Sequence, residues 1–76
     1  MPDNIERLRE AGFKINEGTP EAYEDVLRDL SEEEMEALTL MSLRQINALN
    51  SVAKKLNRTH GRRGLKKHWT YYILPP

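Results

Sequence analysis

The chain has 76 residues, 38% apolar and 32% charged, a size and balance that allow one small folded domain and exclude wholesale disorder. It has no cysteine, so disulfides and thiolate metal sites are excluded as well. The net charge of zero hides a strong polarity: residues 1–36 carry all twelve acids and four bases, a net of −8, and the remainder carries eight bases and no acid, a net of +8.

The chain opens on Asp3-Asn4-Ile5-Glu6, which reads as a capping box in which the Asp3 carboxylate accepts backbone amide hydrogens. Ile5 and Leu8 share one face of the short helix that follows. Gly12 ends it in a left-handed conformation, and Phe13 is placed to fold back on the last turn, with Ile15 buried beside it. Thr19-Pro20-Glu21 predicts a second helix, with a hydroxyl cap, proline at the first helical position and an acid. Its buried stripe is Tyr23, Val26, Leu27 and Leu30, at i, i+3, i+4 and i+7.

Ser31-Glu32-Glu33-Glu34 is another capping box, and from there Met35, Leu38, Met41, Ile46, Leu49, Val52 and Leu56 keep helical spacing. A continuous helix from Glu32 to Leu56 would be about 25 residues and roughly 38 Å long. Ser42-Leu43-Arg44-Gln45 has the form of a further cap, so a bend or break near Ser42 is an alternative. Leu40, Met41 and Leu43 widen the apolar face there, and the expectation is that the preceding helices pack on it, with a homodimer seam as the other reading. Asn57 is placed to cap the long helix. Arg58–Gly64, with two glycines and no apolar residue, predicts a basic loop. The tail Trp69-Thr70-Tyr71-Tyr72-Ile73-Leu74 is aromatic and β-branched, either an extended strand docked on the helices or a peptide meant for another molecule. The fold class expected is therefore all-α: a small bundle of about three helices in residues 1–57, then a basic loop and aromatic tail in residues 58–76.

Catalytic machinery is not evident. His60 and His68 are the only histidines and no acid accompanies them in their half of the chain, so they read as two exposed side chains, not metal ligands. Glu32, Glu33, Glu34 and Glu36 are explained as a solvated helix start. Gly61-Arg62-Arg63-Gly64 lacks the Lys-Ser/Thr of a phosphate-binding loop. No enzyme activity, cofactor or metal is expected. No apolar run nears the ~20 residues that span a membrane, and the acidic N-terminus lacks the apolar stretch of an export signal. A cytoplasmic protein without a membrane partner follows as the expectation.

The functional signal is the density of bases. Lys54, Lys55, Arg58, Arg62, Arg63, Lys66 and Lys67 are seven bases in fourteen residues, more than helix-dipole complementation accounts for. They suit the neutralisation of phosphates, with Trp69, Tyr71 and Tyr72 available to stack on bases. These ten residues are the candidate partner-binding set.

Two stretches carry family likenesses. Val52-Ala53-Lys54-Lys55-Leu56-Asn57-Arg58-Thr59-His60, followed by Leu65 and His68, resembles the positioning helix and turn of helix-turn-helix DNA-binding proteins. That likeness implies that Arg58–Lys67 is a groove-reading helix, although Gly61 and Gly64 would fall inside it at a cost of about 1 kcal/mol each relative to alanine. Leu8-Arg9-Glu10-Ala11-Gly12-Phe13-Lys14-Ile15, with Val26-Leu27-Arg28-Asp29-Leu30-Ser31-Glu32-Glu33-Glu34 and Leu38, resembles small bacterial leader-like proteins of clusters that make ribosomally synthesised modified peptides. It implies a helical leader held by a maturation enzyme and a C-terminal core, here His68–Pro76, that is altered. The absence of cysteine departs from the thioether-forming members.

The function expected is thus non-enzymatic: a small regulatory or adaptor protein whose basic-aromatic end engages an anionic macromolecule, such as nucleic acid, or a protein. The rival is a precursor of a modified peptide.

Overall fold

The structure is a computed structural model that describes residues 3–76. Among these residues four helices are formed: α1 (Asn4–Glu10), α2 (Glu21–Arg28), α3 (Glu32–Thr39) and α4 (Leu43–Arg63). Two two-residue strands, β1 (Lys14–Ile15) and β2 (Ile73–Leu74), join in an antiparallel pair with Ile15 opposite Ile73. The fold is broadly all-α, with four helices where about three were expected. No helix of the described residues is long and apolar enough to cross a membrane.

Local caps set the first half. The Asp3 carboxylate accepts the Glu6 amide at 3.0 Å, and this bond holds its pKa below the usual range. Gly12 has φ +107° and Phe13 folds back, its amide donating to the Leu8 carbonyl. The Asn4 side chain ties the start of α1 to the end of α2, donating to the Leu27 carbonyl at 2.9 Å with those of Arg28 and Leu30 close by. These carbonyls lie in the last turn of α2 and just beyond it, where a helix C-terminus leaves acceptors without an intrahelical i+4 donor. Ser31 caps α3 as expected, with its hydroxyl accepting the Glu34 amide at 3.1 Å. Thr19 does not cap α2. Its hydroxyl donates backwards to the Asn16 carbonyl and is buried there, while the Pro20 carbonyl receives the Tyr23 and Glu24 amides.

The long helix is broken. Leu40 leaves the α-helical region with ψ 137°, Ser42 is extended, and α4 starts at Leu43. Ser42 makes no side-chain cap. Instead the Gln45 side chain reaches back to donate to the Leu38 carbonyl at 2.8 Å, closing the elbow from the other side. The break turns the helical phase. Ala48, Val52 and Leu56 of α4 face the core, but Leu43 and Ile46 do not, and Met41 is 89% exposed. Leu40, Met41 and Leu43 were expected beneath the preceding helices and stand outside them.

The core is built by α4 against α2 and α3, with α1 closing over α2 and α3. Its fully buried side chains include Tyr23, Leu8, Leu27, Met35, Leu38 and Leu56. The tail completes it: Ile73 is 3% exposed, and Trp69 and Tyr72 pack against the same cluster. The segment is docked, but it is not an extended strand throughout: Trp69–Tyr71 form a 3₁₀ turn and only Ile73–Leu74 are strand.

Candidate interaction surface

The predicted basic loop is helical. α4 runs through Asn57 without interruption to Arg63, and Gly64, at φ +62°, takes the left-handed position that ends it. Helix propensity opposes a glycine at position 61, so tertiary contacts must hold this last stretch. They do so through His60, which follows Val52 and Leu56 at steps of four and is half-buried, not exposed. The Tyr23 hydroxyl, at a wholly buried residue, donates to the Lys67 carbonyl at 2.9 Å and lies 2.8 Å from His60 Nδ1. A phenol has one proton, so His60 Nδ1 carries the hydrogen of the second bond. Burial pushes the Tyr23 phenol pKa up, with Tyr72 adding to the effect.

Asn57 has a related task. It does not end the helix; its side-chain oxygen accepts the Trp69 indole N–H at 2.8 Å and faces His68 Nε2. His68 Nδ1 in turn accepts the Thr70 amide and caps the 3₁₀ turn Trp69–Tyr71, which leaves Nε2 as the donor to Asn57. The rings of His60 and His68 are 5.5 Å apart. Tyr23, Asn57, His60 and His68 thus form a polar clasp that holds the tail on α4. Sequence reasoning missed this clasp; the four-residue spacing of His60 behind Leu56 was its one local sign. Arg58–Lys67 is accordingly not a separate helix: its first six residues belong to α4, and Leu65–His68 form the turn beyond.

The candidate partner-binding residues divide into three groups. Lys54, Arg58 and Arg62 are exposed at steps of four along α4, about 6 Å apart along the axis. Arg63, Lys66 and Lys67 are exposed at and beyond its end. Lys55 is different: its ammonium is 2.9 Å from the Glu34 carboxylate, whose pKa this bond holds below the usual range. Lys55 therefore fastens α4 to α3. Among the described residues, none of the other six bases makes an ion pair within 4.0 Å. The acids are partly used elsewhere, Glu32 by Arg7 at 2.8 Å and Glu24 and Asp3 by Arg28.

The aromatic residues also separate. Trp69 and Tyr72 are half-buried, the first tied to Asn57, the second 5.9 Å from the Tyr23 ring. Tyr71 is 59% exposed, with the Lys67 ammonium 4.1 Å from its ring centre, a cation–π pair on the surface. A groove of about 310 Å³ between α2 and α4 is lined by Lys55, Arg58, Thr59 and Arg62, but Asp29 stands on its α2 wall. Asp29 makes that groove mixed in charge; Arg58 and Arg62 form its α4 wall, and Lys54, Arg63, Lys66 and Lys67 carry exposed positive charge outside its lining.

No protein-family model, no curated protein and no solved structure matches the chain.

Proposed function

We propose that this chain is a small non-enzymatic binding protein that holds an anionic polymer, with nucleic acid as the candidate, against α4 and the turn that follows. Lys54, Arg58 and Arg62 supply a row of charges that winds gradually around α4, Lys66 and Lys67 add to it beyond the helix end, and Tyr71 offers one exposed ring for stacking. The observation that carries this reading is that, among the described residues, six of the seven clustered bases make no ion pair with a carboxylate within 4.0 Å, although twelve acids are present in the same chain. Cations left uncompensated and clustered attract polyanions by release of the polymer's counterions. Tyr72 and Trp69 leave the contact surface under this reading and serve to position Tyr71 and Lys67.

The docked tail favours binding over the peptide-precursor alternative. A C-terminal core that a maturation enzyme alters must first be lifted from the structure, and here it carries Ile73 into the interior.

The test is the salt dependence of binding to a fluorescent single-stranded and a duplex oligonucleotide. Affinity should fall steeply with salt, and Arg58→Ala with Arg62→Ala should lower the log–log slope by about 1 to 2. Lys55→Gln should leave that slope nearly unchanged, because this base is occupied by Glu34. Absence of binding at low salt overturns the proposal.

A further inference from the structure

The groove between α2 and α4 holds opposite charges that do not meet. Asp29 stands on its α2 side and Arg58 and Arg62 on its α4 side, with half-buried Val26 and Thr59 also in its lining. Among the described residues, Asp29, Arg58 and Arg62 make no ion pair within 4.0 Å, and Lys55, the remaining base of the lining, is taken by Glu34. Asp29 is also poorly placed for the helix it follows. It is the C-cap of α2, the end at which the helix dipole disfavours a carboxylate, and no ion pair compensates for it there.

A ligand that bridges such walls brings an anion to the arginines and a hydrogen-bond donor to the carboxylate. Thr59 adds to the second demand: its hydroxyl donates to the Lys55 carbonyl at 2.9 Å, so its oxygen is left to accept. A nucleotide has both groups, a phosphate at one end and, in adenine, cytosine and guanine, an exocyclic amine on the base. Thymine and uracil lack the amine, and two carbonyls flank their single N–H, so a carboxylate facing that edge meets an acceptor on either side. The groove's volume of about 310 Å³ is at the small end of the about 300–1,000 Å³ of ligand sites, room for one unpaired base and not for a stacked duplex.

We infer that this groove reads an unpaired base of a nucleic-acid strand, with Arg58 and Arg62 on the phosphate and Asp29 accepting the exocyclic amine, so that amine-bearing bases are preferred to thymine and uracil. The inference rests on the polyanion reading of α4 and adds to it a strand form and a base preference.

Fluorescence anisotropy of the full chain with labelled oligo(dA), oligo(dC) and oligo(dT) of equal length, at one low salt concentration, tests it. The dA and dC strands should bind about fivefold more tightly than dT, and each should bind more tightly than a duplex of the same length. Asp29→Asn turns one of the two acceptor atoms into a donor and should bring the ratio between the strands close to one. Asp29→Ala should do the same, and the circular dichroism of both variants should match the wild type, since the exposed Asp29 carboxylate holds no ion pair of the fold. Equal binding of the three strands, tighter binding of the duplex, or a preference that survives both substitutions overturns this inference and leaves the polyanion reading standing. Absence of binding to every oligonucleotide at low salt overturns both.

Discussion

Tyr23 joins three parts of the molecule: α2, the end of α4 and the turn beyond it. Its ring is buried among the helices, and its one hydroxyl meets both the end of α4, through His60, and the turn beyond, through the Lys67 carbonyl. Its α2 position is dictated by spacing, since it opens the stripe continued by Leu27 and Leu30. Its hydroxyl is what turns an ordinary core position into an anchor. Tyr23→Phe keeps the ring and removes the hydroxyl, leaving the Lys67 carbonyl and His60 Nδ1 without a protein partner. The expected cost is about 1–3 kcal/mol in chemical unfolding, and amide exchange should speed up first in residues 65–74, not in α1 or α3. Val26, one turn from Tyr23 but without a polar atom, has no comparable effect to offer.

Among the elements, α4 shows most clearly how glycine is read differently by position. Gly61 lies within the helix and faces open space, whereas Gly64 has the left-handed φ of +62° that closes it. Gly61→Ala should therefore stabilise the protein by about 0.5–1 kcal/mol through helix propensity. Gly64→Ala should destabilise it by about 1–2 kcal/mol, because a Cβ is strained there. Thermal melts of the two single variants, expected to move in opposite directions, test the extension of α4 through Arg63. Within this helix lies the boundary of what the sequence makes legible. Ser31 and Asp3 were readable as caps because a cap is settled by three or four neighbouring residues. The helical course of Arg58–Arg63 was not, since two glycines and a run of bases favour a loop locally, and the contact that overrides them comes from Tyr23, 37 residues earlier than His60. The elbow was half legible: Ser42-Leu43-Arg44-Gln45 announced a break, but not that the break rotates Leu43 and Ile46 out of the stripe made by Ala48, Val52 and Leu56. Of the candidate surface, the bases were visible as a cluster, while the pairing of Lys55 with Glu34 and the inward turn of Trp69 and Tyr72 depend on how distant helices meet.

At the scale of the whole molecule, the tail is a structural member. Ile73 is buried, Trp69 and Tyr72 cover the same cluster, and Lys14–Ile15 pairs with Ile73–Leu74. A chain of this size has a small margin of stability, and a buried isoleucine alone contributes about 1.5–3 kcal/mol. Removal of Trp69–Pro76 should abolish a cooperative thermal transition in circular dichroism. In the intact protein, limited proteolysis should spare the bonds around Tyr71 and Tyr72 for as long as it spares the α2–α3 connection. A tail that is cut well before the helices would favour the precursor reading.

The pairing of Ile15 with Ile73 also has a bearing on biosynthesis. Partners 58 residues apart cannot meet while the nascent chain still hides the later one in the ribosome, so α1 to α3 emerge with an unfilled seat at Phe13 and Ile15. Because such distant contacts bring no gain until the intervening segment has been ordered, native structure is expected to be acquired only after Ile73 has cleared the exit tunnel, not progressively from the N-terminal helix onward.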